Sequence, residues 1–318
     1  MNAPASATID WPDIPYEQWR ETATFLHLAS QIVGKYRLAH TPWLNHSWHA
    51  TLYVTPPGLT TGPVADGNAF ISLSLDFHDH VVIAEAGDGA RASFPLKPMS
   101  IAAFYQSASE IVTTVGGSFN IHGSPNEVVD PIPFSSDLSD RPYDADAVSR
   151  FHQALARIAP IFDRFRTGFL GKVSPTHLFW GSFDLAVTRF SGRTAPLHPG
   201  GFPALPDSVT QEAYSHEVFS AGFWPGGNGA DEAMFYAYAY PTPEGFNAGK
   251  VRPAAATFDS ALGEFLLPYA AVRESATPEA DVMAFLTSTY EAAAETGKWD
   301  RAALECPTGT PRIPRSLG

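Results

Sequence analysis

The chain has 318 residues, of which 44% are hydrophobic, 13% aromatic and 17% charged, and its formal net charge is −13. This composition predicts a folded globular protein and excludes extensive disorder. Nucleic acid and anionic membranes are not expected partners, because both are bound through clustered Lys and Arg, and the sequence has no such cluster.

Features near the N terminus and the cysteine content bear on location. Residues 1–19 contain neither a basic segment nor an apolar core of the kind that directs secretion. No apolar run approaches the roughly 18 residues that are needed to span a bilayer. Cys306 is the only cysteine, so no internal disulfide can form. We therefore expect a cytoplasmic protein.

Hydrophobic periodicity predicts the elements of the first half. A helix is expected from Tyr16 to about Tyr36, where apolar residues recur at helical spacing. Four strand patterns follow it, and an amphipathic helix is expected over 99–115. The strand patterns cover 45–55, 69–77, 81–87 and 91–96. Residues 123–145 are rich in Pro, Ser and Asp and are predicted to be a linker.

The second half repeats this order of elements. A helix is predicted over 146–170 and another over 280–297, with four strand patterns between them. These strand patterns cover 177–190, 215–223, 234–240 and 263–269. An inserted loop at 191–213 occurs only in this half, and long insertions of this kind are often functional. Residues 301–318 are predicted to form an irregular tail.

Together the patterns predict an α+β fold built from two pseudo-twofold-related repeats. Each repeat is expected to contain a helix, four antiparallel strands and a helix, with the sheets backed by helices. The predicted organisation is a first repeat (1–122), the linker and a second repeat (146–300). Residues 16–115 and 146–297 are expected to superpose.

Four long strings carry a resemblance to a known family: NHSWHATLYVTPPGLTT, HLFWGSFDLAVTRFSGR, HPGG and YSHEVFSAGFWPGG. Together they resemble an uncharacterised bacterial family, domain of unknown function 5996, over about Trp11 to Leu304. The resemblance implies no activity, cofactor or catalytic residue.

Strand alternation sorts the side chains of the second half into two faces. Asp184 is predicted to lie opposite the apolar set that contains Leu185 and Val187, and His216 to share a face with Ser220. One face of the sheet therefore mixes polar, small and aromatic residues. This composition favours a ligand cavity. The alternative is an ordinary, partly solvated face.

The candidate catalytic residues are His216, Asp184, Glu217 and His198. A carboxylate beside a histidine fixes its tautomer and raises its basicity, which suits a general base or a metal ligand. We therefore predict that His216 and Asp184 face one cavity, with Glu217 in reserve. The alternative is a buried Asp–Arg or Asp–His pair that only stabilises the fold.

Substrate binding is assigned to arginines at the mouth of the cavity and to aromatic walls. Arginine binds carboxylate or phosphate groups through its fork of donors. The predicted substrate-binding residues are Arg189, Arg193, Trp180, Trp224, Tyr236 and Tyr238.

Histidines make one divalent metal a further possibility, with His46, His49 and His216 as candidate ligands. In a regular strand His46 and His49 point to opposite faces, so the alternative is two separate hydrogen-bonded histidines. No phosphate-binding, zinc-protease or serine-hydrolase motif is present in the sequence. The sequence predicts an enzyme that acts on a small molecule by acid–base or single-metal chemistry, or alternatively a non-catalytic small-molecule-binding protein.

Overall fold

The computed structural model describes residues 11–227 and 230–315. Helix ends carry the signals that favour them: Ser100 and Asp144 cap the helices that follow them by accepting hydrogen bonds from backbone N–H groups. The α-helices of the described residues are α1 (Tyr16–His40), α2 (Ile101–Thr114), α3 (Ala145–Arg166), α4 (Asp207–Ala213), α5 (Tyr269–Arg273), α6 (Pro278–Thr296) and α7 (Arg301–Leu304). None of them is both long and apolar enough to cross a membrane.

Strands alternate with turns along both halves of the chain. In the first half they are β1 (Tyr53–Val54), β2 (Gly58–Thr60), β3 (Val64–Asp66), β4 (Ala69–Asp76), β5 (Val81–Ala86), β6 (Arg91–Pro95) and β7 (Met99–Ser100), and β8 (Asp140–Arg141) lies in the linker. In the second half they are β9 (His177–Phe179), β10 (Asp184–Thr194), β11 (His216–Trp224), β12 (Met234–Tyr240), β13 (Thr257–Asp259) and β14 (Glu264–Pro268).

Apart from the short pair β7-β8, these strands form two six-stranded sheets, and all of their pairings are antiparallel. The first sheet has the order β1-β2-β4-β5-β6, with β3 paired to β4, and the second has the order β13-β14-β12-β11-β10-β9. A single bridge joins Leu52 to Leu178, with N–O distances of 3.0 and 2.8 Å, so the two sheets meet at their edges. A mixed helix and antiparallel-sheet fold, as predicted, is confirmed.

Helices cover one face of each sheet. Helix α2 packs on β5 and β6, whereas α3 and α6 pack on β10, β11 and β12. Helix α1 contacts both α2 and α3 and therefore joins the two halves. Its fully buried side chains include Phe25, Leu26 and Ile32, which belong to a core that is continuous through the chain.

The predicted strand over 45–55 is largely wrong. Asn45–Ser47 form a turn of 3₁₀ helix instead, and His46 and Ser47 adopt φ values of 62° and 58°. Non-glycine residues adopt these angles when surrounding contacts hold them there, and the backbone N–H and side chain of His46 are both bound to α4.

Two further segments differ from the sequence prediction. The expected strand over 177–190 is a hairpin of β9 and β10, and Trp180 lies in its turn. The predicted irregular tail begins with α7, which Asp300 caps through a 3.2 Å hydrogen bond from the Ala303 N–H group. Residues 316–318 of that tail lie outside the described residues.

Candidate functional site

A cavity of about 920 Å³ lies on the face of the second sheet opposite α3 and α6. This volume is within the range of small-molecule sites, roughly 300–1,000 Å³. Side chains from β10, β11, β12 and β14 form its floor. Its cover comes from the end of α1 and the residues after it, from the predicted linker, and from the predicted insertion.

The register of the second sheet explains which side chains form the floor. Ala186, Gly222 and Tyr236 are direct neighbours across β10, β11 and β12, and Thr188, Ser220 and Tyr238 form the next row. The Thr188 and Ser220 hydroxyls are hydrogen-bonded at 2.9 Å. The floor is therefore the mixed face that strand alternation predicts.

Asp184 lies at one end of this floor and is only 3% exposed. Its carboxylate accepts hydrogen bonds from the hydroxyl groups of Ser182 and Tyr236. Tyr236 reaches it by crossing over Gly222, where any side chain would overlap the phenol ring. Burial raises the pKa of Asp184, and these two donors oppose the rise.

Glu127 and Lys35 lie on the wall beside Asp184. The Glu127 carboxylate lies against the backbone of Gly181, and a Cβ atom on residue 181 would overlap it. Burial and the nearby Asp184 charge raise the pKa of Glu127 to about 7. Burial lowers the pKa of Lys35 to about 8, and the Glu127 charge opposes this shift. The Lys35 ammonium group donates a hydrogen bond to Asn126 Oδ1.

Glu264 is the third carboxyl group of the cavity. Strand pairing places it next to Tyr238 on the floor, because Tyr236 pairs with Leu266 and Ala237 with Phe265. Burial, followed by the charges of Asp184 and Asp259, raises the pKa of Glu264 to about 8. Its Oε2 atom is buried without a hydrogen-bond partner among the described residues. A ligand that donates a hydrogen bond would satisfy this atom.

Aromatic rings form a large part of the cavity lining. Trp224 stacks on Tyr236 with ring centroids 4.5 Å apart, and Tyr236 stacks on Tyr238 at 6.0 Å. The Tyr214 and Tyr238 hydroxyls are hydrogen-bonded at 2.6 Å. Trp180 also lines the cavity. Three of the aromatic residues predicted from the sequence, namely Trp224, Tyr236 and Tyr238, therefore stack on one another along the floor, and Trp180 is the fourth in the lining.

Hydrogen bonds join the insertion (191–213) to the linker (123–145) above the cavity. The Glu127 N–H group donates to the carbonyl of Pro203 at 2.8 Å, and the Asn126 side chain donates to that of Ala204. His198, also in the insertion, lines the cavity and stacks on Tyr214 with ring centroids 4.7 Å apart. Burial lowers the pKa of His198, which favours its neutral form.

His46 and His49 line the cavity on the side nearest α4. Both ring nitrogens of His46 are engaged: Nδ1 lies 2.6 Å from the Ala213 carbonyl, and Nε2 lies 2.6 Å from Lys172 Nζ. His49 Nδ1 contacts the backbone of Leu44, whereas Nε2 is buried without a partner in the described part of the chain.

The metal site predicted from these histidines finds no support in this geometry. His46 and His216 have ring centroids 6.1 Å apart, but neither His46 nitrogen has a lone pair free for a metal. Within residues 11–227 and 230–315, no group of three or more His, Cys, Asp or Glu side chains is arranged to hold a metal ion.

The structure separates His216 from Asp184, so the pair predicted from the sequence is not formed. Leu185 pairs with Phe223, whereas His216 pairs with Thr194 at the opposite end of the same two strands. Both side chains are on the same face, as alternation predicts, but eight residues of strand separate their positions, which corresponds to about 26 Å. His216 does not line the cavity.

Three further candidates lie outside the cavity. Glu217 pairs with Arg193 at 2.6 Å, and Arg193 also donates to the Gly297 carbonyl at the end of α6. Arg189 is on the helix-covered face, because it shares the parity of Val187, and its guanidinium lies 3.5 Å from the centre of the Phe165 ring. These side chains connect the sheet to its helices and do not form the mouth of the cavity.

Sequence reasoning missed Lys35, Glu127 and Glu264. Alternation along 263–269 places Glu264 opposite Phe265 and Leu267, so a signal for it exists. Lys35 is a charged residue that follows the apolar Ile32 and Val33 in α1, which is a weaker signal, and Glu127 lies in the irregular linker and gives none.

Comparison with known proteins identifies one relation. Residues 11–306 match a family of unknown function (DUF5996), as the sequence motifs indicate. No curated protein and no solved structure matches the chain. Because the match covers most of the sequence, the chain belongs to this family.

Proposed function

We propose that this member of the DUF5996 family is an enzyme that binds a small molecule in the cavity and transforms it by general acid–base chemistry. The observation that carries the proposal is the grouping of Asp184, Glu127 and Lys35 at one end of a cavity of about 920 Å³. Ionisable groups that burial and mutual charge bring close to neutral pKa values are concentrated at functional sites.

The two neighbouring carboxyl groups have different environments and therefore different roles in the proposal. Glu127, with a pKa of about 7, exists in both protonation states near neutral pH and is suited to give and accept a proton. Two hydroxyl donors fix the orientation of Asp184, which is suited to position the substrate or to stabilise developing positive charge.

Consumption of a natural metabolite tests this proposal. The purified protein is incubated with the low-molecular-mass fraction of a bacterial extract, and mass spectrometry compares the metabolites before and after incubation. Asp184→Asn retains the shape of the side chain, and we expect it to lower the rate of consumption about 100-fold. Glu279→Gln, at the exposed start of α6, serves as the control.

The outcomes separate the two functions that the sequence predicts. Conversion of a metabolite by the wild type and the control, but not by Asp184→Asn, supports the enzyme. Retention of an unchanged metabolite through gel filtration supports a non-catalytic binding protein. Equal conversion by all three proteins contradicts the role of Asp184.

We also infer that residues 16–115 and 146–297 are copies of one structural unit. The shared meander supports this inference: β2-β4-β5-β6 in the first sheet and β10-β11-β12-β14 in the second are each consecutive neighbours. Superposition of the two spans tests it, and a different direction of any matched strand contradicts it.

A further inference from the structure

The five lysines of the chain differ sharply in environment. Lys35 is 1% exposed and lines the cavity from the last turns of α1. The other four are exposed and do not line it, namely Lys97, Lys172, Lys250 and Lys298. Lys35 is therefore the lysine placed to meet a ligand in the cavity.

Burial makes the Lys35 ammonium group easier to deprotonate than that of an exposed lysine. Its Nζ atom donates to the amide oxygen of Asn126 and lies 5.1 Å from the centre of the Trp180 ring. Among the described residues it forms no ion pair, and Glu127 acts on it only through space. A buried lysine without a directly paired carboxylate loses its proton more readily, and its neutral amine is a nucleophile.

We propose that Lys35 forms an imine with the carbonyl carbon of an uncharged aldehyde or ketone bound in the cavity. This inference rests on the proposed function, for which it names a substrate class. The amine nitrogen adds to the carbonyl carbon, and one of its two protons moves to the carbonyl oxygen, which becomes a hydroxyl group. Glu127 then donates a proton to that hydroxyl, which departs as water while the C=N bond forms. The N–H proton returns to the Glu127 carboxylate, so one water is released for each imine.

The charges of the cavity define the ligand further. Glu127, Asp184 and Glu264 are acidic, and Lys35 is the only Lys or Arg among the described residues that line the cavity. Once Lys35 acts as a neutral amine, no Lys or Arg of the described lining is left to pair with a carboxylate or phosphate. The cavity lining also contains apolar and aromatic side chains, among them Trp180 and Tyr236, so an alkyl or aryl carbonyl compound fits the site.

Reductive trapping tests the inference without knowledge of the natural substrate. The protein is incubated at pH 7 with benzaldehyde and sodium cyanoborohydride, which reduces an imine to a stable benzylamine, and the modified lysine is located by peptide mass spectrometry. A lysine with a pKa of about 8 is about 10% neutral at pH 7. An ordinary lysine with a pKa of about 10.4 is neutral only about 0.04% of the time, which makes the difference roughly 250-fold.

We expect Lys35 to be benzylated at least about ten times faster than Lys97, Lys250 or Lys298, since lower intrinsic nucleophilicity and restricted access offset part of this difference. Lys35→Arg keeps the positive charge but forms no imine, and Lys97→Arg, at an exposed lysine outside the cavity, is the matched control. Loss of the fast adduct in the first variant only supports the inference. Modification of the exposed lysines with none at Lys35 overturns it.

Glu127→Gln provides a second measurement, in case Lys35→Arg does not fold. Glutamine cannot donate the proton that dehydration requires, so trapping at Lys35 should slow about tenfold while the exposed lysines react unchanged. An unchanged rate at Lys35 contradicts the role of Glu127. If metabolite conversion depends on Asp184 but no adduct is trapped at Lys35, the imine inference is wrong and the proposed function still stands. If Lys35 is trapped but no metabolite is converted, the proposed acid–base reaction is contradicted and the reactive lysine still stands.

Discussion

Replacement of Glu127 by glutamine should change how stability depends on pH. A carboxyl group whose pKa rises from 4.5 to about 7 on folding binds its proton more tightly in the native state. Its contribution to stability is therefore complete below pH 4.5 and disappears as the pH rises through 7. Between about pH 5 and pH 8 the wild-type protein loses about 2.5 kcal/mol of unfolding free energy from this group, at about 1.36 kcal/mol per pKa unit. The glutamine side chain of the variant does not ionise and is spared this loss.

Urea unfolding of the wild type and Glu127→Gln at both pH values measures this difference. We expect the stability of the variant relative to the wild type to increase by about 2.5 kcal/mol between about pH 5 and pH 8. Glu279→Gln, which changes an exposed carboxylate, should show no such increase. A difference between wild type and Glu127→Gln that stays constant within about 0.5 kcal/mol would refute the burial of an ionisable Glu127.

Three other substitutions test particular contacts of the site and its surroundings. Gly222→Ala places a methyl group against the phenol of Tyr236 and should lower the unfolding free energy by about 2 kcal/mol, with a crystal structure showing Tyr236 displaced from Asp184. His216→Ala should leave the rate of benzaldehyde trapping at Lys35 within about twofold of the wild type, and a larger loss would place His216 in the site after all. Arg193→Ala removes the ion pair with Glu217 and the hydrogen bonds to the end of α6 and should cost about 1 kcal/mol in urea unfolding; no change would mean that these contacts contribute nothing.

The main helices and the paired strands could be predicted because local periodicity determines them. Helices α1, α2, α3 and α6 begin and end within a few residues of the predicted positions, and β4, β5, β11 and β12 do likewise. Each of these elements presents an apolar face to the core, so apolar residues recur along the sequence at the spacing of the helix or strand. The segment 45–55 was mispredicted because contacts with distant α4 hold its backbone in angles that its residues rarely adopt.

The composition of the candidate site could be predicted only in part. Alternation along the strands places Asp184, Trp224, Tyr236 and Tyr238 on one face, and all four line the cavity. Alternation gives the face but not the position along the strand, so it does not reveal the distance between Asp184 and His216. Arg189 could have been excluded by the same rule, because it shares the parity of Leu185 and Val187.

The cavity arises where segments outside the shared strand pattern cover the second sheet. In the first sheet, Ser72 and Ser74 alternate with the buried Ile71 and Leu73 and remain partly exposed. Above the second sheet, the linker and the insertion are hydrogen-bonded to each other. They place the side chains of Glu127 and His198 in the cavity lining. Covering such a face removes water from its carboxyl groups, which raises their pKa values towards neutrality. The same packing that closes the cavity therefore creates the proton-transfer properties on which the proposed chemistry depends.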